Sequence, residues 1–478
     1  MLTLPIVFVA IVCVLVLVQY KNKSFTPHQH CCEGHTERSI LSANILSTIG
    51  VAILWTVFFF PLKGWGAPAF IGIAFGICLA HVVYLVLLYR GETRSSMYHV
   101  VLNKKTLPSG VLILHIVIIL VFIFAEIAGI RIYLTEFANY DRRAVYIPYL
   151  SGGVIAIFAL LYTMKGGLRA VLETDDWLMF LTILIFVSIF GYLILFQSDG
   201  VGQFLGRGFS LAVNDFSLRY LQESTVVSAL QYVVAALSIV GYYLIMPDYW
   251  QRNLLLSSEK RSKRRNTIIL SCVINLCVLA FIYALAIQSR NAMDVDLLVE
   301  NFVQKPISME GMWAFVSMDL FGPFVVIWLF LIGSISSIDS ILIGLVFLMT
   351  RESGLNLSHD NKEQVTKQYN KILKLVIGLF AIIYICSFIP NPQLFVIVSL
   401  FFGSLQTPLL IYLFVARCYG EPDGKQDRVV FIAFIGYLVM VFFNWYCDIH
   451  VYYLVYGFLS GIIVYFALPF VRQMEARG

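Results

Sequence analysis

The chain has 478 residues, 60% of them hydrophobic and only 13% charged, with a mean hydropathy of +0.84. That leaves too little polar surface to coat a water-soluble globule and excludes disordered, collagen-like and disulfide-scaffold classes. The net charge of +5, from 33 basic and 28 acidic residues, is too small to argue for nucleic-acid binding.

A helix needs about 20 apolar residues to cross about 30 Å of hydrocarbon. Continuous apolar runs favour helices over barrel strands, which alternate. Thirteen spans are predicted near 2–20, 39–61, 66–90, 110–136, 144–163, 170–198, 223–247, 264–289, 323–350, 370–389, 394–417, 427–446 and 450–470. The chain therefore reads as an all-α polytopic membrane protein with 13 transmembrane helices. The first run carries no charge before Lys21 and no small-residue cleavage site, so a removable signal peptide is not expected. With the N-terminus outside and the C-terminus inside, twenty-five Lys/Arg fall in inside loops and seven outside, with Arg131 in a span. The cluster Lys260, Arg261, Lys263, Arg264, Arg265 dominates one inside loop, as the positive-inside rule requires.

The first inside loop reads HQHCCEGH, crowding His28, His30, Cys31, Cys32 and His35 together. Such ligands suit zinc or copper. Vicinal cysteines reach tetrahedral positions on one ion poorly, however, and no second ligand cluster is visible, so a solvated loop is the expectation and no metal site is assigned. Single histidines in the third and fourth spans, His81 and His115, are expected to be packed helix–helix hydrogen bonders.

An ionisable side chain within a span costs about 2.5 kcal/mol or more. Glu126 and Arg131 in the fourth span, Asp175 in the sixth and Asp339 in the ninth therefore each need a reason. Between the fifth and sixth spans, Gly166 and Gly167 are expected to end one helix, with a short loop before Thr174 and Asp175 re-enter the membrane. Asp176 then has Lys165 or Arg169 as an interfacial partner. In the ninth span, Gly333, Ser336, Ser337 and Ser340 recur at i, i+3, i+4, i+7, forming one stripe with Asp339 beside it. Small residues permit close helix packing, and serines can bond back to their own helix. Packing does not call for a carboxylate, whereas a small hard cation needs oxygen ligands in place of its water.

Four segments in order, AGIRIYLTEF (128–137), GGLRAVLETD (166–175), PDYWQR (247–252) and SSIDS (336–340), resemble the sodium/solute symporter family, closest to bacterial sodium/proline symporters. The resemblance implies a LeuT-type architecture of two inverted five-helix repeats, here about 39–198 and 223–417 within a single 1–478 transporter domain. The helix at 2–20 and those at 427–470 would be peripheral.

It also implies site residues. One sodium would be bound by the carbonyls of Val51, Leu54 and Gly333 and the hydroxyls of Ser336 and Ser337. A second cation, or a shared proton, would lie among Asp175, Ser336, Asp339 and Ser340, because two carboxylates facing one cavity do not both stay ionised without a cation between them. Arg131 occupies a spot where some relatives direct an arginine at a substrate carboxylate; the local alternative is an ion pair with Glu126 or Glu136. One of Tyr242 and Tyr243 would close the inner side of the cavity, although tyrosines near a span end also fit the interfacial belt. Trp55, Phe401 and Gln406 are further cavity candidates.

The expected function is sodium-coupled symport of a small organic solute by alternating access, an amino acid such as proline or a monocarboxylate, in a bacterial cytoplasmic membrane. No organic cofactor is expected, sodium is the coupling ion, and no enzyme activity is expected because no nucleophile–base pair is evident. The rivals are a proton-coupled carrier of the same fold and a non-transporting sensor, which would need a separate partner because the chain has no room for a signalling domain after its last span.

Overall fold

The computed structural model describes residues 3–21, 23, 25–32, 37–52, 66–90, 107, 109–140, 146–196, 240–256, 260–291, 321–355 and 362–388. They form helices α1 (Thr3–Tyr20), α2 (Pro27–Cys32), α3 (Glu37–Ala52), α4 (Gly66–Tyr89), α5 (Ser109–Tyr140), α6 (Tyr146–Phe196), α7 (Pro247–Leu255), α8 (Arg261–Asn291), α9 (Phe321–Glu352) and α10 (Lys362–Cys386), and no strand occurs among the described residues. The three last predicted spans lie outside them.

The solvent for which this sequence is built is legible on its surface. On α4, Ile71, Phe75, Leu79, Val82 and Val86 are exposed at helical spacing. On α1 the same holds for Val7, Ile11, Val14, Leu15 and Val18, while Val9, Cys13, Val16 and Tyr20 on its other side are buried. Apolar stripes of this length mark a lipid-facing surface. Four stretches among the described residues are long and apolar enough to cross a bilayer: Ile71–Tyr89, Ser109–Arg131, Leu331–Glu352 and Glu363–Cys386.

Helix α9 is the centre of the fold. Every residue from Leu331 to Leu348 is buried, and α9 packs against α1, α2, α3, α5, α6, α7 and α10. Helix α7 comes close at Gly344: a Cβ there would lie 2.8 Å from the Asp248 backbone nitrogen.

Three expectations are corrected. The loop expected between the fifth and sixth spans is a single residue: helix resumes directly after Gly167, which has φ 59° and ψ −149° within α6. That positive φ is open to glycine at no steric cost. The tenth span's helix starts at Lys362 rather than near 370, because its polar first turns continue beyond the apolar stretch. The HQHCCEGH loop is not solvated at its start. Residues 27–32 form α2, with His30 and Cys31 buried.

Candidate functional site

The site is built where α6 and α9 meet. Two fully buried carboxylates lie there, Asp175 from α6 and Asp339 from α9, with Asp339 in the field of Asp175. Tyr162, one helical stretch before Gly167, donates its hydroxyl to Asp339 Oδ2. Ser336 Oγ lies close to Asp175 without completing a hydrogen bond. Both Asp175 oxygens, Asp339 Oδ1, Ser336 Oγ and Ser337 Oγ are buried with no hydrogen-bond partner. Buried oxygens are ordinarily satisfied, and each one left alone costs about 1–3 kcal/mol. Such a set on two packed helices is chemically suited to a group that brings positive charge.

The expected site residues divide by position. Gly333, Ser336, Ser337, Asp339 and Ser340 share the buried length of α9, and Asp175 faces them from α6. Val51 lies in the last turn of α3, which packs on α9. Leu54, Trp55, Phe401 and Gln406 lie outside the described residues. Glu126 of α5 turns toward Ser334 and Ser337.

Arg131 lies in a different setting. Fully buried, it holds its guanidinium carbon 3.6 Å from the Phe388 ring centroid and 4.5 Å from that of Tyr384. A Cβ on Gly153 would lie 2.8 Å from Arg131 Nη2.

Tyr242 and Tyr243 are both buried, so neither is an interfacial belt residue. Tyr243 is held from two sides. Its carbonyl accepts from the Tyr84 hydroxyl, its own hydroxyl accepts from Asn275 Nδ2 at 3.4 Å, and its ring meets His81 at 5.2 Å. The Tyr242 hydroxyl has no hydrogen-bond partner, while its ring packs on Phe122. His81 Nδ1 pairs with the Ile77 carbonyl of its own helix at 2.8 Å, rather than with a second helix. His115 is fully buried.

Asp176 accepts from Ser42 Oγ at 2.8 Å, joining α3 to α6. In α2, His30 has both ring nitrogens engaged, Nε2 with the Met164 carbonyl at 3.2 Å and Nδ1 with the Tyr369 hydroxyl at 2.6 Å. Burial pushes the His30 imidazole down to about 4, so the ring is neutral at pH 7 and the Tyr369 hydroxyl is its donor. Cys31 Sγ lies 3.2 Å from the same hydroxyl, and His28 is partly exposed. No group of three or more His, Cys, Asp or Glu suited to a metal occurs among the described residues; Cys32's side chain and His35 lie outside them.

Sequence reasoning missed Arg252. Counted as an inside-loop charge, it is instead 1% exposed. Its Nη1 donates to Asn44 Oδ1 at 3.3 Å and Ser47 Oγ at 3.2 Å, and its Nη2 to Ser47 Oγ at 3.1 Å and to Ser340 Oγ. Asp248, one turn earlier on α7, is 3.7 Å away. The signal was present in PDYWQR, where Asp248 and Arg252 stand at i, i+4, the pairing distance on a helix.

By sequence, no family model and no curated protein matches the chain. By structure it is similar to a Na+-coupled sialic acid symporter in a substrate-bound outward-open state, with a TM-score of 0.64 and 16% identity over 97% of this chain and 96% of that one. A second similar structure is that of Mhp1, a nucleobase-cation-symport-1 family transporter, in a closed conformation with bromovinylhydantoin bound (TM-score 0.45, 12% identity, 95% and 96% covered). The first likeness extends over nearly the whole chain and shows the fold, an integral membrane architecture shared with a sodium-coupled symporter.

Proposed function

We propose that the protein is a sodium-coupled symporter that moves a small organic solute by alternating access. The observation that carries this reading is the group of partnerless buried oxygens on Asp175, Ser336, Ser337 and Asp339, in a fold shared with a Na+-coupled symporter. A dehydrated alkali ion replaces lost water with such oxygens, and its charge balances the carboxylates. In this reading Ser336 and Ser337, with the Gly333 carbonyl and the carbonyls of Val51 and Leu54, hold the coupling ion. Asp175, Asp339 and Ser340 form a second position that calls for positive charge. The two five-helix repeats, the N-out orientation and a bacterial cytoplasmic membrane belong to the same proposal.

The solute is an amino acid, proline-like, or a monocarboxylate. Arg131 would meet its carboxylate, since a guanidinium matches that group bidentately. Of the two tyrosines, Tyr242 is the one with a hydroxyl to offer, and Tyr243 the one that is fixed. Trp55, Phe401 and Gln406 complete the proposed cavity.

The test is uptake by proteoliposomes of the purified protein, screening amino acids and monocarboxylates, with sodium replaced by choline at fixed pH. Sodium-dependent accumulation supports the proposal. Accumulation that follows a proton gradient and ignores sodium assigns a proton-coupled carrier, and no uptake of any solute leaves the sensor reading in its place.

A further inference from the structure

Resting on the symport reading, the second charged position can be taken further. We infer that Arg252 is the resident cation of the Asp175, Asp339 and Ser340 position, so that the protein binds one sodium ion rather than two.

Helix α7 packs closely on α9 at Gly344, where a Cβ would lie 2.8 Å from the Asp248 backbone nitrogen. This delivers Arg252 to the very hydroxyl, Ser340 Oγ, that a second cation would need. Asp175 and Asp339 both lie within the field of Arg252. Asp248 is its ion-pair neighbour at 3.7 Å, but neither Asp248 oxygen takes a hydrogen bond from the guanidinium. One buried carboxylate, Asp248, thus lies in ion-pair distance of the guanidinium and two more lie within its field, while its shortest bonds go to Ser47 and Ser340.

A metal ion bonded to Ser340 Oγ would stand next to a guanidinium nitrogen bonded to the same oxygen. Two positive charges at that spacing, without water between them, repel strongly. An arginine is effectively never deprotonated, so it does not vacate the position by losing a proton. The ion at Ser336 and Ser337 has no such competitor: neither hydroxyl is taken. Tethering through Ser47 and Asn44 on α3 and Ser340 on α9 also makes Arg252 the clasp between those helices.

The experiment is equilibrium binding of radioactive 22Na+ to the purified full-length protein, counting ions per chain and the Hill coefficient. The native protein is expected to bind one ion with a Hill coefficient of about 1. Arg252→Gln is expected to bind two, and Arg252→Lys, which keeps the charge, one. Two ions on the native chain, or one on a folded Arg252→Gln, overturns the inference. Should Arg252→Gln not fold, the native count decides alone. Absence of any sodium binding to the native chain overturns the inference together with sodium symport itself, an outcome distinct from a count of two.

Discussion

The hydroxyl of Tyr162 donates to one carboxylate oxygen of Asp339, while the other oxygen has no hydrogen-bond partner at all. The pair joins the two halves of the candidate site, since Tyr162 precedes the break at Gly167 in α6 and Asp339 stands midway along α9. One oxygen is thereby fixed and the other left for a ligand. Tyr162→Phe removes that donor from a buried carboxylate. It should lower thermal stability by about 1–3 kcal/mol, and added sodium should restore more of the loss than it adds to the native protein. Thermal melting in detergent with sodium or choline measures both.

Ser336→Ala and Ser337→Ala each delete one oxygen expected on the coupling ion. The sodium concentration for half-maximal stabilisation should rise about tenfold for each, equivalent to about 1.4 kcal/mol. An unchanged sodium titration for both variants would remove these hydroxyls from the ion.

Tyr242→Phe and Tyr243→Phe should part company. The first loses a hydroxyl with no hydrogen-bond partner, so stability should hold and solute affinity fall. The second loses the hydroxyl that Asn275 meets and should lower stability by about 1 kcal/mol. Melting curves and uptake kinetics on both variants separate the roles.

The His30 imidazole is pushed down to about 4 by burial, from an ordinary value of 6.5. A histidine kept neutral in the folded state contributes its full stability above pH 6.5. That stability is lost as pH falls toward 4, because the unfolded chain takes up the proton first. On the order of 2 kcal/mol should disappear between pH 7 and pH 5. His30→Gln, which cannot titrate, should show a flatter melting profile over that range, and an equal slope in both proteins would contradict the assignment.

Gly167→Ala puts a Cβ at φ 59°, against the His30 carbonyl and ring. The change should destabilise the protein by about 1–3 kcal/mol, read as a lower melting temperature. Gly378→Ala, in open space on α10, serves as the control and should not lower it.

Much of the α9 half of the site was legible because one helix carries it. Gly333, Ser336, Ser337 and Ser340 share a stripe whatever α9 packs against, so spacing alone puts them together. Asp175 could be singled out because a carboxylate in an apolar run has no other explanation. Arg252 could not, since hydropathy and loop charge treat any cation between spans as solvated, and its burial depends on α7 packing against α9 near Gly344. His30 was hidden for the same reason. A six-residue helix has no periodicity to read, and the carbonyl that His30 meets is presented by a turn in α6 far along the chain.

The unbroken burial of α9 from Leu331 to Leu348 has a mechanical consequence. Seven other helices among the described residues touch this rod, so in the symport proposal changes of access are expected to come from neighbours rolling around a stationary axle. Backbone amides along that axle should be the slowest in the molecule to exchange with heavy water, and the helices that move should betray themselves by exchanging first.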